Sequence, residues 1–142
     1  VMVKSLKLKE VKFERKVIFN MIIFLSSLYM MYGFLFIYSY VNDIGFLKYL
    51  YQKKNINKVL AIELVFIVIA SFIVFTSQPL NWMVGLIMIF HIFGVVWLVA
   101  SPDSFYEIYD QSMNVDPGST ESMTGWILIA FGVFVYFSRL IF

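Results

Sequence analysis

Apolar positions dominate this chain in long runs, and the polar positions fall between them. Residues 17–41 carry no charge at all. Residues 59–77 hold one acid, Glu63, residues 80–100 hold His91, and residues 124–142 hold Arg139 near their end. A bilayer core about 30 Å thick needs ~20 apolar residues in a helix rising about 1.5 Å per residue. Each run meets that length, so the pattern predicts an all-α integral membrane protein with four transmembrane helices in a single domain. Gln78-Pro79-Leu80-Asn81 reads as a tight turn, because proline disfavours helix in the residue before it and favours a helix start. The second and third spans are therefore expected to form an antiparallel hairpin.

The remaining segments read as interfacial. Residues 1–16 mix basic side chains with Val3, Leu6, Leu8, Val11 and Phe13, as in a strip lying on an anionic leaflet. Residues 101–123 form an acidic loop, within which Ser101-Pro102-Asp103 opens a short amphipathic helix. In that helix Asp103, Glu107 and Asp110 share one face, and Phe105, Ile108 and Tyr109 lie on another. Asp116-Pro117-Gly118-Ser119 signals a second turn, and Ser122 or Thr124 is expected to cap the fourth helix. The first apolar run exceeds the ~7–15 residues of a signal-peptide core and ends without a small-x-small site, so it reads as an uncleaved anchor.

Composition makes the membrane reading firm. The 142 residues are 61% hydrophobic and 14% charged, with a mean hydropathy of +0.85. A soluble domain carries about 25% charged residues, so this chain cannot cover a water-facing surface. Charge also sets orientation. Six of the eleven basic residues precede Val17 and four lie between Lys48 and Lys58, leaving Arg139. With four spans and the N-terminus inside, basic residues divide seven inside to four outside, which favours the N-terminus on the cytoplasmic or matrix side. The membrane expected is a prokaryotic cytoplasmic membrane or an organellar inner membrane. A re-entrant first run turning near Gly33 would instead place the ten early bases on one side.

Candidate chemistry is sparse. Cysteine is absent, which excludes thiolate metal sites, iron–sulfur clusters and cysteine nucleophiles in this chain. Phosphate-cradling loops, nucleophile elbows, HExxH pairs and dinucleotide fingerprints are missing. No catalytic residue, metal ligand set or cofactor is assigned, and the basic strip lacks any nucleic-acid context.

Two residues stand out. Glu63, five residues past Lys58, reads either as an interhelical or lysine-paired carboxylate or as a proton or ion site. His91, midway along its span, reads either as a neutral imidazole bonded to a neighbouring helix, as a proton relay, or as a haem or metal ligand completed by another chain. Asp103, Glu107 and Asp110 lack the ligand loop of an EF-hand.

Small residues mark helix contacts. Gly125, Gly132 and Arg139 recur every seven positions on the fourth span, Ser27 and Gly33 lie along the first, and Ala70 and Ser77 follow Glu63 on the second. Such stripes let helices approach closely in lipid. Arg139 is expected to snorkel to the headgroups, and Trp82, Trp97, Trp126, Tyr38 and Tyr40 to anchor span ends.

Three roles follow. The first is a non-catalytic accessory subunit of a larger membrane complex, such as an energy-converting or oxidoreductase assembly, forming a hetero-oligomer with other membrane subunits. The second is a small homo-oligomeric transporter or channel using Glu63 and His91 for ion or proton coupling. The third is a redox subunit holding haem or a metal through His91.

Overall fold

The computed structural model describes residues 1–141. Among them every regular element is helical, with no strand. Six α-helices follow in order: α1 Met2–Val41, α2 Phe46–Leu50, α3 Ile56–Thr76, α4 Trp82–Ala100, α5 Pro102–Val115 and α6 Pro117–Phe137. Short 3-10 turns at Lys53–Asn55 and Ser138–Ile141 lead into α3 and close α6. Four of the helices, within Met2–Val41, Lys53–Thr76, Trp82–Ala100 and Pro117–Ile141, are long and apolar enough to cross a membrane. Phe142, the last position of the fourth expected span, lies outside the described residues.

The ends of the helices differ from the pattern-based expectation for local reasons. The basic segment 1–16 is no separate strip but the opening of α1, because nothing in it breaks a helix: it holds neither proline nor glycine. The last helix starts at Pro117 rather than at 124. Asp116, and not Ser122 or Thr124, caps it, its side chain accepting from the Ser119 amide at 3.0 Å, and proline suits the first helical position. Ser101 gives α5 no side-chain cap, although proline again occupies its first turn. Between the first two long helices the structure adds α2, which the hydrophobic pattern did not announce.

The core is built around α1 and α6, which run past each other in opposite directions. Ser26 faces Gly132, Gly33 faces Gly125, and Ser39 faces Glu121. A Cβ on Gly33 would sit 2.6 Å from the Gly125 carbonyl oxygen, and one on Gly125 would sit 2.9 Å from that of Gly33. The two backbones therefore touch, and only glycine leaves room. Helices α3 and α4 pack against each other, with Ser71 donating to the Met88 sulfur and Glu63 meeting His91. Ile22, Leu25, Phe36, Ala70, Ile73, Val84 and Ile87 are fully or nearly fully buried between the helices.

Arg139 does not extend the glycine seam. The chain tightens into the 3-10 turn at Ser138, which shifts the seven-residue register. Ser138 is buried there, and the Arg139 guanidinium lies over the Tyr136 ring, 4.0 Å from its centroid. Ser27 also leaves the stripe. It is exposed and its hydroxyl donates to the Ile23 carbonyl within its own helix, while the neighbouring Ser26 faces α6.

Candidate functional site: a tyrosine–histidine–glutamate chain beside an aromatic cavity

The two polar residues singled out in the apolar runs meet. Glu63, on the Val59–Phe66–Ala70 face of α3, contacts His91 Nδ1 through Oε2. His91, on the Val84–Ile87 face of α4, turns its Nε2 to the Tyr29 hydroxyl of α1 at 2.5 Å. The tautomer follows from charge. With Glu63 ionised and the imidazole neutral, Nδ1–H donates to the carboxylate and Nε2 accepts from Tyr29. One added proton makes the ring an imidazolium that donates on both sides. The chain thus has two protonation states that keep the same contacts.

Phe66 holds this arrangement in place. Its ring stacks on Tyr29 at 4.3 Å between centroids and on His91 at 5.3 Å, nearly parallel to the imidazole. Each such aromatic pair contributes about 0.5–1.5 kcal/mol beyond burial. Phe131 of α6 meets Tyr29 edge-on at 6.0 Å. Three polar side chains from three helices are therefore clamped by aromatics from two.

Lysine does not serve Glu63. Lys58 reaches the Tyr49 hydroxyl at 2.6 Å instead, and Lys53 pairs with Asp103 at 2.8 Å across exposed surface. That exposed pair holds the Asp103 carboxyl below and the Lys53 amine above their ordinary ranges, through the hydrogen bond first and the charge second. Both ring nitrogens of His91 are engaged, so ligating iron or another metal would break one of these contacts. Among the described residues no group of three His, Cys, Asp or Glu side chains gathers in a way that would hold a metal ion.

A cavity of about 220 Å³ adjoins the chain, lined by Glu63, His91, Tyr51, Phe90, Phe105 and Phe131, among others. Tyr51 also lines a wider, open cleft of about 670 Å³ with Lys48, Lys53, Asp103 and Glu107. It stacks with Tyr109 at 5.1 Å and borders both spaces. Burial, then the nearby Glu63 charge, pushes the Tyr51 hydroxyl's ionisation above its ordinary range, while burial pushes Tyr109 up to about 12. Both hydroxyls keep their protons at neutral pH.

Two polar clusters escaped the sequence reading. Tyr29 is the first surprise, although it falls three residues after Ser26 and four before Gly33 on the buried face of α1. Glu121 is the second. It is buried, and its Oε1 accepts from Ser39 Oγ at 2.7 Å and from the Leu47 amide at 2.9 Å, while Ser39 accepts from the Phe46 amide. These bonds tie the free amides of α2 to α1 and α6. Stepping back four residues from Gly125 along the Gly132–Gly125 face reaches Glu121, and that spacing was the available signal. At the opposite end Asn81 caps α4, its Oδ1 accepting from the Val84 amide, its Nδ2 donating to Ser138 Oγ at 2.9 Å and its backbone N–H donating to the buried Ser77 hydroxyl. Ala70 is fully buried in α3.

No known family model matches the chain, and no curated protein or solved structure matches it.

Proposed function

We propose that this chain is a multi-pass membrane protein that takes up and releases a proton or cation at the Tyr29–His91–Glu63 chain, as a small transporter or channel. One observation carries the reading: Glu63 and His91, 28 positions apart and the principal polar intruders in α3 and α4, contact each other beside a cavity. Ionisable groups within membrane-spanning helices are costly and mark ion or proton pathways more often than other positions do. The four long apolar helices support the membrane assignment. The contacts Glu63–His91 and Ser71–Met88 support an antiparallel hairpin of α3 and α4. The basic N-terminal segment supports the cytoplasmic or matrix side for the N-terminus.

The test is flux. In proteoliposomes, Glu63→Gln is expected to abolish proton or coupled ion movement while the protein still elutes as the wild type does. Undiminished flux in that variant removes Glu63 from the mechanism.

A second reading, the accessory subunit of a larger membrane assembly, is favoured by the first turns of α1. Val3, Leu6, Leu8, Val11 and Phe13 are all exposed there, beside six basic side chains, a surface suited to docking. Native mass after mild detergent extraction, with every co-purifying chain identified, separates the two. Stoichiometric partner subunits favour the assembly, and a particle of this chain alone favours the transporter. Haem or metal ligation by His91 ranks below both, since its ring nitrogens are already engaged.

A further inference from the structure

The cavity next to Glu63 has a chemical bias. No lysine or arginine lines it, and its walls beyond Glu63 and His91 are largely the rings of Tyr51, Phe90, Phe105 and Phe131. A carboxylate largely removed from water needs a counter-charge, because an unpaired ion in a low-dielectric interior costs several kcal/mol. The imidazole provides one only when the chain holds its extra proton. Without that proton the carboxylate keeps only the neutral Nδ1–H donor, and a cation entering the cavity supplies the missing charge against aromatic faces that attract it.

We propose that this cavity binds a small organic monocation of the alkylammonium class in exchange for the proton on the Tyr29–His91–Glu63 chain. The inference rests on the proton-handling reading above and names its substrate class. With Glu63 ionised and His91 neutral, the site carries one negative charge. Either a proton or a monocation neutralises it, and both together leave an uncompensated positive charge. The two therefore exclude each other, and one proton leaves to water for each cation that enters. The other groups facing Glu63 do not disturb this balance. They are His91 of α4, Tyr29 and Tyr32 of α1 and Tyr51 of the linker, while α5 and α6 present the uncharged Phe105 and Phe131.

Size and access fit the same ligand. The cavity's 220 Å³ equals the liquid volume of about seven waters, enough for an ammonium group carrying short alkyl chains. Gly94 lines it, and a Cβ there would meet nothing within 4 Å, so this wall stands open.

Calorimetry on the full chain in lipid nanodiscs, titrated with tetraethylammonium chloride over roughly pH 5 to 8, tests the proposal. Two buffers of different ionisation enthalpy count the protons released. Saturable binding is expected, with close to one proton released per cation in the acidic range. There the apparent affinity should fall about tenfold per pH unit, as for one proton competing with one cation. Glu63→Gln should weaken binding at least about tenfold and end proton release. Gly94→Leu, which fills the open wall, should weaken it comparably. The proton count uses the wild-type chain alone, so a variant that fails to fold does not blunt the test. Absence of saturable binding, binding without proton release, or wild-type affinity in both variants overturns the proposal. Proton flux that depends on Glu63 without tetraethylammonium binding overturns the cation alone, whereas Glu63-independent proton flux overturns the reading beneath it.

Discussion

Glycine does opposite things in two parts of this molecule. Along α1 and α6, Gly33, Gly125 and Gly132 are contact points where a Cβ would strike a carbonyl or side chain within 3 Å. On α4, a Cβ at Gly85 would rest 3.9 Å from Val74, and one at Gly94 would meet nothing. The first seam is closed, and side-chain bonds cross it from Ser26 to the Gly132 carbonyl and from Ser39 to Glu121. The second region holds Glu63 and His91 and most of the cavity wall, with Tyr29 of α1 and Phe131 of α6 meeting it from the seam side. Close packing leaves two helices one stable arrangement, whereas an open wall leaves room for a ligand. The difference divides the bundle into a tightly packed half and a more open one.

His91→Ala should produce the largest effect in the open half. It strips Glu63 and Tyr29 of their shared partner, and breaking a buried pair from one side costs about 3–5 kcal/mol. Denaturant unfolding in detergent reads this as a lowered midpoint, and an unchanged midpoint would show that the polar chain contributes nothing to stability. In the closed half, Gly33→Ala should cost about 1–3 kcal/mol by overpacking, while Gly94→Ala should stay within about 0.5 kcal/mol of wild type. Equal losses at the two glycines would erase the contrast. Ser26→Ala removes one interhelical hydrogen bond and should cost about 0.6 kcal/mol.

The smallest effect belongs to the exposed Lys53–Asp103 pair. Its lowered Asp103 pKa means that any stabilisation is present above the ordinary carboxylate range and is lost as pH falls through the lowered value. Asp103→Asn should leave the midpoint at neutral pH unchanged within error, since exposed pairs are screened by solvent.

Run length was enough to reveal the four long helices, because only helices satisfy the backbone over ~20 apolar residues. The seven-residue spacing of Gly125 and Gly132 likewise marked a face of α6 that the structure buries. What the sequence did not disclose was rotation. Helices that are apolar all round carry little amphipathic signal, so the Ala70–Ser77 stripe turns Glu63 toward other helices but nothing in α3 or α4 alone names His91 as its partner. Tyr29 was hidden by the same uniformity among the tyrosines of α1. Glu121 was hidden by a boundary: with the last helix taken to begin at 124, it counted as one more acid of a loop.

Helix α1 runs unbroken for 40 residues, about 60 Å at 1.5 Å per residue, roughly twice the thickness of a hydrocarbon core. Its proline-free length has no glycine before Gly33, and kinks arise at proline, glycine or bulge positions. Mechanically it is a shaft without a joint, with a charged handle of about 20 Å at one end. Lys4 to Lys16 and Tyr29 therefore lie on one continuous helix, the basic turns at one end and the hydroxyl that meets the imidazole further along it.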